Sequence, residues 1–166
     1  MKKSKLLFKL LLTISAALLF GVFAGNSSSV HTSQTETAQA ATISKKYKVL
    51  KSNSNSASMA NKFYTHTAKI TKSGNKYKVM LYVAYPKKFP TVGNIGSKAV
   101  TPISVLGSKV PSSRISYGKS SKDYTMNYYF YVSKLSKLNK SVKAQIHVRV
   151  PQAKISNVFT IRFDFK

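Results

Sequence analysis

Residues 146–165, close to the end of the chain, alternate apolar and polar side chains over two short runs. The apolar positions are Ile146, Val148 and Val150 in the first run and Phe159, Ile161, Phe163 and Phe165 in the second. Successive side chains of a strand point to opposite faces, so this alternation is typical of strands with one buried face. Pro151 has no N–H to give to a sheet and therefore ends the first strand. The sequence predicts a closing β-hairpin.

Further strands are predicted upstream, where short apolar or aromatic runs are separated by turn residues every 8–12 positions or so. They are Tyr47–Leu50, Tyr64–Thr71, Tyr77–Tyr85, Val100–Leu106, Arg114–Tyr117 and Tyr124–Val132. Gly74 and Asn75 tolerate positive φ and predict a tight turn after the second of these strands. Seven or eight short strands without a sustained helical period predict an all-β fold, an immunoglobulin-like antiparallel β-sandwich.

The first forty residues have the features of a secretory signal. Lys2, Lys3 and Lys5 form a basic start, and the apolar run 10–24 follows. This run of about 15 residues is shorter than the roughly 20 that a membrane-spanning helix needs, which favours cleavage over anchoring.

Two cleavage positions fit this signal. The A-x-A sequence 38–40 predicts a cut after Ala40, giving a signal segment 1–40 and one domain, 41–166. A cut after Ala24 would leave a longer tail rich in Ser and Thr. Neither a sorting motif for covalent wall attachment nor a cysteine for lipid attachment occurs in the sequence. The predicted location is therefore extracellular, free or held non-covalently at the cell wall.

The charge balance is strongly basic. The whole chain carries 28 basic and three acidic residues, a formal net charge of +25. After a cut at Ala40, 24 basic and two acidic residues remain, giving +22. Such a field concentrates polyanions around a protein. For an exported chain these would be anionic envelope polymers or host ligands, and the predicted compartment argues against nucleic acid.

The sequence offers no catalytic constellation. Asp123 and Asp164 are the only carboxylates left after the predicted cleavage, whereas acid–base glycosidases need a close pair. The chain has no cysteine, nucleophile elbow, zinc-protease motif or phosphate loop. A binding protein is predicted, not an enzyme.

The closing hairpin resembles the last two strands of near-iron transporter (NEAT) domains. The similar segments are Val-Lys-Ala-Gln-Ile-His-Val-Arg-Val-Pro-Gln at 142–152 and Phe-Thr-Ile-Arg-Phe-Asp-Phe at 159–165. Residues 56–64 take the place of the short lip helix that opens the family's fold, and Lys72–Val79 is similar to the turn and strand that follow. The resemblance implies a β-sandwich with a lip helix or loop, and haem or haemoprotein binding in iron acquisition.

The chain departs from the family at the iron ligand. Haem-binding members carry Tyr-x-x-x-Tyr at the start of the last strand, where the first tyrosine ligates ferric iron and the second hydrogen-bonds to it. Ile155 and Phe159 occupy these positions here. Residues four apart on a strand share a face, so both are expected to line the groove without ligating metal.

Other candidate groove residues come from the lip segment. They are Ser58, Met59, Phe63 and Tyr64. The Met59 thioether suits haem iron, although packing at the sandwich end is the alternative reading. Phe63 and Tyr64 are either partner-binding aromatics of the lip or staples to the core. Met80 and Met126 are predicted in the core.

Two hypotheses remain open. The first is a secreted haem- or haemoprotein-binding module, as the resemblance implies. The second is a basic cell-surface module that binds anionic envelope polymers or host ligands and has lost haem binding. The missing ligand tyrosines and the high charge favour the second, and the family resemblance favours the first.

Overall fold

A computed structural model of the protein describes residues 41–166, and the predicted signal segment lies outside these residues. The strands are β1 Thr42–Lys51, β2 Thr67–Ser73, β3 Lys76–Pro86, β4 Lys88–Phe89, β5 Gly93–Asn94, β6 Val100–Val105, β7 Ser108–Lys109, β8 Ile115–Lys119, β9 Asp123–Val132, β10 Val142–Val150 and β11 Ile155–Phe165. Short 3-10 helices cover Met59–Phe63, Ser112–Arg114, Leu135–Asn139 and Pro151–Ala153. We call the first of them the lip helix.

Nine of the strands form one curled antiparallel sheet in the order β7-β6-β10-β11-β1-β2-β3-β9-β8. The first half of β1 pairs with β2, from Thr42 opposite Thr71 to Lys46 opposite Thr67. Its second half pairs with β11, from Tyr47 opposite Phe165 to Lys51 opposite Ile161. Because β1 changes partner midway, the sheet folds over on itself, and its two halves enclose the core as a sandwich.

The predicted fold class is confirmed. The strands of five or more residues are β1, β2, β3, β6, β8, β9, β10 and β11, in agreement with the seven or eight expected. The additional strands β4, β5 and β7 have two residues each, and β4 and β5 form a small hairpin within the predicted loop 86–98.

The two predicted turns also form. β10 ends at Val150, and Pro151 opens the 3-10 turn that leads into β11. Ser73 pairs with Lys76 across the β2–β3 turn, where Gly74 has a φ of 56°. That conformation suits glycine because it has no Cβ.

The core between the two halves of the sheet is aliphatic and aromatic. Its largest fully buried side chains include Tyr47, Tyr85, Tyr128 and Phe163. Within residues 41–166 no charged side chain is buried. Met126 lies in this core as predicted, but the prediction for Met80 is wrong. Met80 stands between the buried Val79 and Leu81, so the two-residue period turns it outward, where it is half-buried.

None of the helices in the described part of the chain is long and apolar enough to cross a membrane.

Candidate ligand cavity

A cavity of about 580 Å³ opens at one end of the sandwich. Its walls come from the lip helix, the ends of β1 and β3, the β4–β5 hairpin, the start of β6 and the β10–β11 hairpin. Most of the lining side chains are apolar. The polar exceptions are Lys51, Ser52, Asn53, Ser58 and Thr160. The site suits a ligand with a large apolar body and few polar groups.

The β10–β11 hairpin forms one apolar wall. Ile146 pairs with Phe159 and Val150 pairs with Ile155, so these four side chains stand on the same face of the two strands. Ile155 is 38% exposed and Phe159 is 42% exposed, although both line the cavity. Apolar side chains so open to solvent beside a concave site are typical of a binding surface. The geometry agrees with the predicted orientation of both residues.

The lip helix forms the opposite edge of the opening. It begins because the Ser58 hydroxyl accepts a hydrogen bond from the Ala60 N–H at 3.3 Å. The Asn61 side chain ties it to β1 by accepting from the Val49 N–H at 2.8 Å. Phe63 is half-buried, and its ring meets that of Phe89 edge-on at 6.4 Å. Met59 is 83% exposed at the opening, so it does not pack over the sandwich end.

Tyr64 and Tyr85 lie at the base of the cavity. Both are buried, and the Tyr64 hydroxyl is 3.1 Å from that of Tyr128. The Tyr85 hydroxyl donates to the carbonyl oxygen of Ser97 at 2.8 Å. Burial raises the pKa of Tyr64 and of Tyr85 to about 12, against 10 for an ordinary tyrosine. Near neutral pH both remain protonated phenols with a partner already bound, which disfavours them as phenolate ligands of iron.

The six candidate groove residues named from the sequence all line this cavity. Sequence reasoning missed Tyr85 and the wall that Phe89, Val92 and Ile95 contribute from the β4–β5 segment. Residues 86–98 carry Pro and Gly turn signals, and nothing in the local pattern indicates that this loop folds over the end of the sheet. No group of three or more His, Cys, Asp or Glu suited to a metal ion occurs in residues 41–166.

The buried tyrosines predict a loss of stability at alkaline pH. The pKa of Tyr64 is higher in the folded chain than in the unfolded one, so its contribution is complete below pH 10 and disappears as the pH rises towards 12. A rise of this pKa from 10 to about 12 corresponds to about 2–3 kcal/mol of unfolding free energy by pH 12. Urea unfolding at several pH values from 8 to 11.5 measures this decline. The unfolding free energy of the Tyr64→Phe variant should decline less steeply with pH than that of the native domain. An equal slope in both proteins would contradict the assignment to Tyr64.

Comparisons with known proteins bear on the family and the fold. The NEAT family, described as the iron transport-associated domain, matches residues 36–166. A search of curated proteins gives no significant match. One similar solved structure is the NEAT5 domain of IsdX2, a B. anthracis hemophore, in complex with heme, with 14% sequence identity and a TM-score of 0.50. It covers 77% of this chain and 97% of its own.

A point mutant of that NEAT5 domain with heme gives the same identity and TM-score, covering 77% of this chain and 96% of its own. At 14% identity these structures bear on the fold alone, and they agree with the immunoglobulin-like sandwich. The family match extends from the chain's end back beyond β1 and includes the lip helix and the closing hairpin. This chain belongs to the NEAT family of iron transport-associated domains.

Proposed function

We propose that the chain is an exported, non-catalytic binding domain of iron acquisition whose cavity takes haem, free or from a haemoprotein. The observation that carries the proposal is the apolar cavity between the lip helix and the closing hairpin of a NEAT domain. Both similar NEAT5 structures contain heme. Cleavage after Ala40, leaving the domain 41–166, is part of the proposal and is supported by the signal-like sequence.

The residues that line the cavity fit the porphyrin macrocycle of haem better than they fit its iron. The walls offer apolar contacts, and burial of apolar surface contributes about 25 cal/mol per Å². Lys51 is the charged residue in the lining and suits a ligand carboxylate. Ile155 and Phe159 have no atom that ligates a metal. The Met59 thioether is the remaining candidate, and its exposure leaves it free to turn towards a ligand.

A haem titration tests the proposal. Residues 41–166 contain the core described above, so this segment is titrated with ferric haem while the Soret band is followed. A saturable shift at one equivalent is the expected result. If the spectrum is that of free haem at every ratio, and haemoglobin is not bound either, the proposal is wrong.

Met59 provides a separate prediction. If its sulfur ligates the iron, Met59→Ala should abolish the spectral signature of iron coordination while most of the affinity remains, because the apolar walls are unchanged. Met59→Leu is the matched control, since it keeps the apolar volume and removes only the sulfur. Retention of the coordination signature in both variants excludes Met59 as ligand.

The charge of the domain favours association with the cell envelope as a second function. Most of the lysines in residues 41–166 are exposed, and the proposed mature chain carries +22. Anionic polymers are therefore attracted to it, and the attraction should weaken with salt because the screening length is about 10 Å at 0.1 M ionic strength.

A further inference from the structure

The outer surface of one half of the sheet carries tyrosines and cations together. We call this surface the aromatic–basic face. It consists of Lys69, Lys78, Tyr82, Arg114, Tyr129 and Tyr131. The tyrosines on β3 and β9 alternate with buried residues such as Leu81, Tyr128 and Phe130, so they point away from the core. The cavity lining contains none of these six residues.

Each cation on this face lies against an aromatic ring. The Lys78 ammonium is 4.0 Å from the centroid of the Tyr129 ring. The Arg114 guanidinium is 5.1 Å from the Tyr131 centroid and 5.9 Å from the Tyr129 centroid. The Tyr129 and Tyr131 rings meet edge-on at 5.7 Å. Such cation–π contacts hold long side chains in place, so the positive charges are partly fixed before any ligand arrives.

Strand register spreads these charges across the sheet. Lys69 on β2 pairs with Met80 on β3, which in turn pairs with Tyr129 on β9. Lys78 pairs with Tyr131, and Arg114 directly precedes β8, the strand beyond β9. Neighbouring strands lie about 4.8 Å apart, so the cations of β2, β3 and the start of β8 cover about 14 Å. This row crosses the strands and suits an extended ligand.

Carboxylates compete little for these cations. Asp123 and Asp164 are the only acidic residues of the described chain. Asp164 lies on β11, in the other half of the sheet, opposite Lys48. Asp123 begins β9, six residues and therefore about 20 Å from Tyr129 along an extended strand. The face thus presents positive charge with little internal neutralisation.

We propose that the aromatic–basic face binds a polymer of repeating polyol phosphodiesters. Guanidinium and ammonium groups recognise phosphate oxygens, and the row of cations fits a repeating anion. Single-stranded nucleic acid shares the phosphodiester, but its binding also uses bases stacked on aromatic rings. Here Lys78 and Arg114 already occupy positions over the Tyr129 and Tyr131 rings, which disfavours base stacking. The choice of polymer rests on the proposed export; the site itself does not depend on haem binding.

The test compares two sets of substitutions with the same charge change. Lys69→Gln, Lys78→Gln and Arg114→Gln together remove the cations of the face. Lys109→Gln, Lys140→Gln and Lys143→Gln together remove three exposed charges outside it. The probe is a defined poly(glycerol phosphate) chain, titrated into residues 41–166 over a series of salt concentrations.

The face variant should bind at least about tenfold more weakly, and the slope of log affinity against log salt should fall by about two to three. The control set should change the slope by less than about one. Equal losses of polymer affinity in the face variant and in the control variant would show that net charge alone attracts the polymer, and would overturn the proposal. Tighter binding of an oligothymidylate with the same number of phosphates would overturn it in favour of nucleic acid.

The rings are tested separately. Tyr129→Leu together with Tyr131→Leu keeps every charge but removes the aromatic contacts, and a two- to fivefold or so loss of affinity is expected. No loss would overturn the role of the rings in positioning the cations. A matching thermal unfolding midpoint shows that each variant is folded. Haem titration of the face variant should be unchanged, so failure of polymer binding and failure of haem binding are distinguishable.

Discussion

Replacing Ile155 and Phe159 together by tyrosine is expected to raise the affinity for ferric haem by about 100-fold, the equivalent of two steps of 1.4 kcal/mol. Both side chains line the cavity on one face of β11, four residues apart. By the resemblance of the closing hairpin to NEAT domains, these positions correspond to the tyrosine pair of haem-binding members. A phenolate at 155 supplies the anionic iron ligand that the native walls lack. Haem titration by absorbance measures both the affinity and a new phenolate-to-iron charge-transfer band.

Titration with metal-free porphyrin separates the affinity that comes from iron coordination from the affinity that comes from burial of apolar surface. The native domain should bind this porphyrin about as well as haem if apolar contacts provide the affinity, and the double variant should prefer haem. Phe159→Tyr alone is the control, because it adds a hydroxyl without adding a ligand at 155. An equal gain for haem and for the metal-free porphyrin would contradict iron coordination. If the native domain itself prefers haem and loses that preference in Met59→Ala, the thioether is the native ligand.

Phe163→Ala is expected to lower the free energy of unfolding by about 3–5 kcal/mol. Phe163 has no exposed surface, and its ring contacts those of Tyr47 at 5.7 Å and Tyr64 at 5.4 Å. It stands where β11 pairs with the second half of β1, opposite Val49. The substitution leaves a cavity at the point where the sheet folds over. Since small domains are stable by about 5–15 kcal/mol in total, the loss is a large share of stability.

Phe159→Ala is the matched control for this stability prediction, because it removes the same side chain from the same strand. Phe159 is 42% exposed, so its truncation should cost less than about 1.5 kcal/mol. Urea unfolding of both variants at pH 7 measures the difference. Equal losses of unfolding free energy in the two variants would contradict the view that Phe163 belongs to the core and that Phe159 contributes little to stability.

The strands and turns nearest the chain's end were predictable because their signals are local. The alternation around Val148 and Ile161 determines which face is buried, and Pro151 stops β10 by its missing N–H. The orientation of Ile155 and Phe159 follows from the same two-residue period. Met80 is an exception: its apolar type favours the core, but its position between the buried Val79 and Leu81 turns it outward.

The contacts between distant segments were not predictable in this way. Tyr64 and Tyr128 are 64 residues apart, and only their approach to 3.1 Å explains why Tyr64 is at the base of the cavity and not at its lip. Phe89 and Ile95 became wall residues because their loop folds over the sheet end. Arg114 joined the aromatic–basic face because β8 lies beside β9.

The sequence by itself determined the strand faces, the closing hairpin and the excess of positive charge, since each depends on neighbouring residues or on composition. Only the tertiary structure decided that the apolar residues of five segments enclose one cavity, that its two tyrosines are buried phenols, and that three cations share one outer face. These features depend on strand pairing between residues far apart in the chain, and local periodicity carries no information about which strands become neighbours.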